Sequence, residues 1–206
     1  GDWEDFKHAV ESFRSVSQNI AYADRNGNIG LYCCAGVPIR QGNPGMVYPG
    51  DSSRYDWKGL VPFAELPHQY NPKDGMVSSA NNKTVHPDYP HYISHWFDLA
   101  PRIDRIRQML TAQEKLSVKD FTDIQTDHRS LMVPQFKDKI LEVMARQQEL
   151  PSRQQEALTL LRKWDGTYSK GGAAAAVFEQ FYLRFLYNLI HDELGEDLYD
   201  EYTGSK

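Results

Sequence analysis

Asn19-Ile-Ala-Tyr-Ala-Asp24, Arg25-Asn-Gly-Asn28 and Ile29-Gly-Leu-Tyr-Cys-Cys34 follow one another without a break. They read as strand, turn and strand. Asn26-Gly27 supplies the positive backbone angles that a tight hairpin needs. Upstream, Trp3, Phe6, Val10 and Phe13 recur at helical spacing behind Asp2, a good N-cap. A helix followed by a hairpin is therefore the first expectation.

Outward from the hairpin the pattern changes. Pro38, Pro44, Pro49, Pro62, Pro67 and Pro72 crowd the stretch from Gly36 to Gly75 and exclude regular helix. The same stretch holds Tyr48, Tyr55, Trp57, Phe63 and Tyr70. So aromatic a stretch reads as an ordered functional loop over a scaffold. Val77 to Asn81 then reads as a third short strand, ending at the carboxamides Asn81 and Asn82. Three strands alone are marginal, which suggests that they belong to a larger sheet.

Past residue 100 the chain is helical. Pro101 suits a first turn, ahead of an apolar stripe through Ile103, Ile106 and Met109-Leu110. Ser117 to Asp120 spells a capping box before Phe121 and Ile124. Further helices are expected around Phe136, Ile140 and Met144, and from Pro151-Ser152 to a stop at Asp165-Gly166. The longest runs from Ala173 to Ile190, with Phe178, Phe181, Phe185 and Leu189 on one face, expected to be core. Strands followed by helices make an α+β chain, divided into 1–100 and 101–206.

Composition limits the function. The 206 residues carry a net charge of -5 with both signs interspersed, unlike the basic stripe of a nucleic-acid binder. No run is long and apolar enough to span a membrane, and none reads as a secretory leader, so neither is expected within these residues. Cys33 and Cys34 are the only cysteines. Adjacent on a strand, they point to opposite faces and read as packing residues, too close for an unstrained bridge and without metal-ligand spacing. His86, His91 and His95 are interrupted by Pro87 and Pro90 and do not read as a zinc set. Asp123, Asp127, His128 and Ser130 lie too close in sequence to form a triad, and Asp127 reads as a helix cap.

One series of motifs resembles a known family. It starts with Gln18 to Asp24, Gly27 to Gly30 and Gly36-Val-Pro-Ile-Arg40. Tyr48-Pro-Gly50, Trp57 to Phe63, Glu65-Leu-Pro67, Asn71-Pro72 and Gly75 follow. Then come Ala80-Asn-Asn82, Asp88-Tyr-Pro90, Arg102 to Ile106, Gln125-Thr-Asp127 with Ser130, and Trp164-Asp-Gly166. In order and spacing the series resembles the penicillin acylase family of N-terminal nucleophile hydrolases, over nearly the whole chain.

The resemblance implies an αββα sandwich to which these few antiparallel strands belong, beside a mostly helical C-terminal half. It implies a precursor that cuts itself into two chains, so the remainder of that precursor is the expected partner and a small acyl amide the substrate. It implies a periplasmic or extracellular site of action. The family's nucleophile is an N-terminal serine whose free amine is the general base. An asparagine side chain completes the oxyanion hole, and the motif places that role on Asn81, with Arg102 as its positioning group and Asn82 as a structural partner. Gly1 cannot be the nucleophile. The serine is expected upstream, so the chain reads as an excised piece that is inactive alone. The family often binds one structural calcium, with a carboxylate ligand between the Asn-Asn motif and the arginine. The interval His86 to His95 is shorter here and no ligand is placed, so no metal or cofactor is assigned. Unpaired edges or apolar surface are expected, covered by a homodimer or strand swap if nothing else covers them. A second reading is a self-standing module that binds a hydrophobic or sugar ligand with its aromatic loops, without catalysis.

Overall fold

The computed structural model describes residues 1–204. It contains two compact units, Gly1–Lys115 and Leu116–Lys206.

In the first unit, helix α1 (Trp3–Val10) opens behind Asp2. The Asp2 carboxylate accepts from the Glu4 and Asp5 N–H groups, and Asp5 reaches back to the Asp2 N–H. Strands β1 (Gln18–Ala23) and β2 (Ile29–Cys34) pair antiparallel, with Ala23 opposite Ile29. The connection is thus Asp24 to Asn28, longer than a two-residue turn, and only Gly27 takes a positive φ, 83°. The Asp24 side chain closes it. It accepts from the Asn26 N–H at 2.8 Å, the Asn28 N–H at 2.9 Å, Asn28 Nδ2 at 2.8 Å and the Tyr22 hydroxyl at 2.8 Å.

These donors, the Asn28 side chain first, hold the Asp24 carboxyl down at about 2 against an ordinary value of 3.8. A carboxylate depressed in the fold contributes stability that is present above its unfolded value and lost as pH falls through its folded value. The hairpin's Asp24 contribution is therefore lost between about pH 4 and pH 2. Thermal midpoints measured down this range should fall less steeply for Asp24→Asn than for the parent chain.

The third strand is not Val77 to Asn81. It is β3 (His68–Tyr70), antiparallel to β2, which gives the order β1-β2-β3. Pro67 and Pro72 bracket β3 and confine it to three residues. Pro67 still accepts from the Cys33 N–H at 2.8 Å through its carbonyl, and the Asn71 N–H donates to Ile29 O at 2.9 Å. Proline removes only a donor, so proline density hid the strand without preventing it. Residues 77–80 make no ladder, and Asn81 turns the chain at φ 62°, a left-handed value asparagine tolerates.

One face of β2 packs on α1. Trp3, Tyr32, Cys34, Ala35, Val37, Val61 and Leu66 form the buried core of this unit. Cys34 is fully buried and Cys33 half-buried, as alternation on a strand requires, and both are free thiols. The loop from 36 to 67 is ordered against this core. Val61 N–H donates to Val37 O at 2.8 Å, Lys58 N–H to Ile39 O at 2.9 Å, and the Tyr32 hydroxyl to Phe63 O at 2.8 Å. Arg40 lies near two rings, 5.7 Å from the Trp57 centroid and 6.0 Å from that of Tyr92. Helix α2 (Ala100–Leu110) buries Ile103 and belongs to this unit, so the division falls after Lys115 and not at residue 100. Its arginines bond to the 78–81 segment, which is the physical reason.

The second unit contains α3 (Val118–Gln125), α4 (Met132–Met144), α5 (Ser152–Lys163) and α6 (Ala173–Thr203). Ser117 and Asp120 form the expected capping box on α3. Asp127 does not cap α4. It accepts from the Arg129 N–H at 3.2 Å, and Ser130 Oγ accepts from the Val133 N–H at 3.4 Å instead. The chain around 127–130 pairs with that around 165–168. Ser130 N–H donates to Gly166 O and Tyr168 N–H to His128 O, each at 3.0 Å. Gly166 holds φ 87°, and a Cβ there would meet Ser130 O at 3.2 Å. Gly166→Ala should cost about 1–3 kcal/mol, read as a lower urea midpoint.

Val133, Ile140, Leu158, Leu161 and Phe178 form the core of the second unit. The expected core face of α6 is only partly buried. Phe178 is 1% exposed, but Phe181 is 39%, Phe185 42% and Leu189 54%. At 31 residues α6 outruns α4 and α5, of 13 and 12. Phe181 and Phe185 instead line an open groove of about 670 Å³ with Phe136, Ile140, Val143 and Met144 of α4. Gly195, at φ 71°, breaks α6 near its end. No helix among the described residues is long and apolar enough to cross a membrane.

Candidate active site: an arginine-held carboxamide

The segment before α2 and the first turn of α2 meet at Asn81. Its backbone carbonyl accepts from the Asp98 N–H at 2.9 Å, which fixes the segment against the start of the helix. Its side-chain Oδ1 accepts from Arg102 Nη1 at 3.1 Å. The same Nη1 donates to Ala80 O at 3.3 Å and pairs with the Asp98 carboxylate one helical turn back. Arg102 and Asn81, the two predicted site residues, are thus in direct contact.

The contact has a chemical consequence. A carboxamide has one acceptor oxygen and a donor NH₂ group. Arginine is donor-only, so it selects Oδ1 and turns Nδ2 away. Among the described residues, Asn81 Nδ2 donates to no protein group, and Asn81 is exposed. A cation on the oxygen also polarises the amide, making its N–H groups better donors. The result is a neutral donor of fixed orientation, suited to an oxygen on which negative charge develops.

Asn82 has a different position. Its Oδ1 accepts from the Ala80 N–H and its Nδ2 donates to Lys83 O, both at 3.1 Å, so its own loop uses both ends. The serines of the segment are tied as well. Ser79 Oγ accepts from Asn19 Nδ2 at 2.7 Å, and Ser78 Oγ from Arg107 Nε at 3.4 Å. Asp98, Asn19 and Ser79 were not singled out from sequence. Asp98 was legible as an acid four residues before Arg102 at a helix start. The Asn19 to Ser79 contact spans 60 positions and leaves no local signal.

The other polar clusters disperse. His91 Nε2 pairs with Glu65 at 2.6 Å, His86 with Asp88 at 3.1 Å, and His95 with the Tyr92 hydroxyl at 2.6 Å. Asp123 pairs with Lys119, and Asp165 accepts from Thr167 in a turn. Among the described residues, no three His, Cys, Asp or Glu side chains converge as metal ligands. No serine hydroxyl among them bonds a histidine.

A family model described as Penicillin amidase matches residues 1–205. This chain belongs to that family. Penicillin amidase relatives include the Penicillin acylase 2 proenzyme of Pseudomonas sp. (strain SE83), 30% identical over 174 residues, which cover 84% of this chain and 22% of that protein. Penicillin G acylase of Escherichia coli is 30% identical over 171 residues, covering 80% and 20%. Acyl-homoserine lactone acylase QuiP of Pseudomonas aeruginosa (strain ATCC 15692 / PAO1) is 28% identical over 200 residues, covering 92% and 24%. The chain therefore spans less than a quarter of the length of these relatives. Among solved structures, the thermostable penicillin G acylase from Alcaligenes faecalis superposes with a TM-score of 0.68 at 25% identity, over 94% of this chain and 37% of that one. The α+β character seen here agrees with that similarity.

Proposed function

We propose that this chain is the oxyanion-binding part of an amidohydrolase that removes an acyl group from an amide, either a β-lactam side chain or an N-acyl homoserine lactone. The observation that carries the reading is the Arg102 to Asn81 Oδ1 bond, which leaves Nδ2 as the outward donor. Family membership supplies the reaction class, because its named relatives are penicillin acylases and acyl-homoserine lactone acylases.

In the proposed reaction a nucleophile attacks the amide carbonyl and the carbonyl oxygen gains negative charge. Asn81 Nδ2 donates to that oxygen, and Arg102, positioned by Asp98, holds the amide from behind. The nucleophile is an N-terminal serine with its own amine as base, upstream on the same chain of which these residues are an internal part, and the remainder of the precursor is the other chain of a heterodimer. The exposed Phe181, Phe185 and Leu189 are apolar surface available to such a partner. The enzyme would act in the periplasm or outside the cell. Asp88, in the interval that the resemblance associates with calcium, pairs with His86 and not with other carboxylates, so no step is assigned to a metal or other cofactor.

The test is hydrolysis of chromogenic phenylacetyl and fatty-acyl amides. The 206 residues alone should give no turnover, and a polypeptide joining them to a nucleophile-bearing segment should cleave one of the two. Hydrolysis by the pure chain would contradict the division of labour. A joined polypeptide that is folded and silent on both amides would contradict the reading itself.

A further inference from the structure

The Asn81 segment is held without a β-ladder. Residues 77–80 pair with no strand among the described residues, so main-chain hydrogen bonds do not place them against the sheet. Yet a transition-state donor must be held within a fraction of an ångström of its productive position. Side chains supply what the ladder does not. Asn19, on the edge strand β1, donates from Nδ2 to Ser79 Oγ at 2.7 Å. From the other direction α2 reaches Ser78 through Arg107 and the Ala80 and Asn81 oxygens through Arg102. Ala80, between these anchors, is 5% exposed, and its N–H is taken by Asn82 Oδ1.

Of these anchors only Asn19 ties the segment to the sheet by a short bond. The α2 contacts orient the Asn81 amide. They leave the segment's position relative to the sheet to Ser79. Serine and asparagine are both uncharged, so the link brings no net charge to the oxyanion position. We propose that Asn19 and Ser79 are positioning residues for the Asn81 donor, setting its distance from the reacting carbonyl as Arg102 sets its orientation. This rests on the oxyanion reading of Asn81.

A misplaced donor weakens the transition state without weakening ground-state binding. In the joined polypeptide, Asn19→Ala and Ser79→Ala should each lower kcat by roughly tenfold, with KM changed less than about twofold. The double variant should lose little more than either single one, because both remove the same bond. Ser79→Thr keeps the hydroxyl and should recover most of kcat. Thermal midpoints are recorded for every variant. Asn81→Ala serves as the reference arm. If it abolishes most of kcat while Asn19→Ala and Ser79→Ala leave kcat intact, the positioning role is wrong and the oxyanion reading stands. If kcat losses follow only the fall in thermal midpoint, or add fully in the double variant, the link is merely structural and the proposal is overturned. If Asn81→Ala itself leaves kcat intact, the underlying reading fails first.

Discussion

Trp3→Ala unfolds the first unit more readily by about 3–5 kcal/mol, the range for truncating a large buried aromatic. Trp3 is 8% exposed and stands at the centre of an aromatic cluster. Its ring stacks on Phe6 at 5.2 Å and Tyr70 at 4.8 Å and meets Tyr22 edge-on at 5.3 Å. One residue thereby joins α1, β1 and β3. It also lies directly over Gly30, where an added Cβ would fall 2.4 Å from the Trp3 ring. Glycine in mid-strand normally weakens a sheet. Here it makes room for the ring, and truncating Trp3 leaves a void above bare backbone that β2 cannot fill. Urea titration followed by far-ultraviolet circular dichroism reads the loss. A change below about 1 kcal/mol would mean that the cluster collapses onto the space.

Asn81→Ala carries the largest expected effect on chemistry. Removing one oxyanion-hole donor typically costs 10²–10³ in kcat, about 3 kcal/mol. The substitution also strips Arg102 Nη1 of one acceptor, but Ala80 O and the Asp98 carboxylate remain to hold it. Alanine at the left-handed φ of 62° should cost about 1–2 kcal/mol of stability, while kcat falls about a hundredfold or more in the joined polypeptide that remains folded. The expected KM is nearly unchanged, because the bond strengthens only as charge develops on the carbonyl oxygen.

Legibility in the sequence followed the range of the contacts involved. The β1 and β2 hairpin and α1 announce themselves within a few residues, through the Asn26-Gly27 turn and the Asp2 cap. The Ser117 capping box is equally local. β3 was missed because it is three residues long, sits between prolines and owes its existence to β2, far upstream. The supposed strand at Val77 to Asn81 has strand-like composition but finds no strand to pair with among the described residues. The core face assigned to α6 has the right periodicity, but periodicity cannot report that Phe181 and Phe185 line an open groove with α4, nor that Leu189 lies exposed. At the candidate site, the pairing of Asn81 with Arg102 was accessible only through motif resemblance, since 21 positions separate them. The Asn19 anchor was not accessible at all, because nothing in residues 18–23 marks one edge side chain as the partner of a serine so distant.

In the proposed reaction the Asn81 amide donates to an oxygen that becomes charged only in the transition state. A direct measurement compares two inhibitors of the joined polypeptide, a tetrahedral boronate or phosphonate mimic and a planar, uncharged, non-cleavable amide analogue, with and without Asn81→Ala. Affinity for the tetrahedral mimic should fall about a hundredfold while affinity for the planar amide stays within about threefold. Equal retention of both affinities, or an equal loss of both, would contradict that role for Asn81.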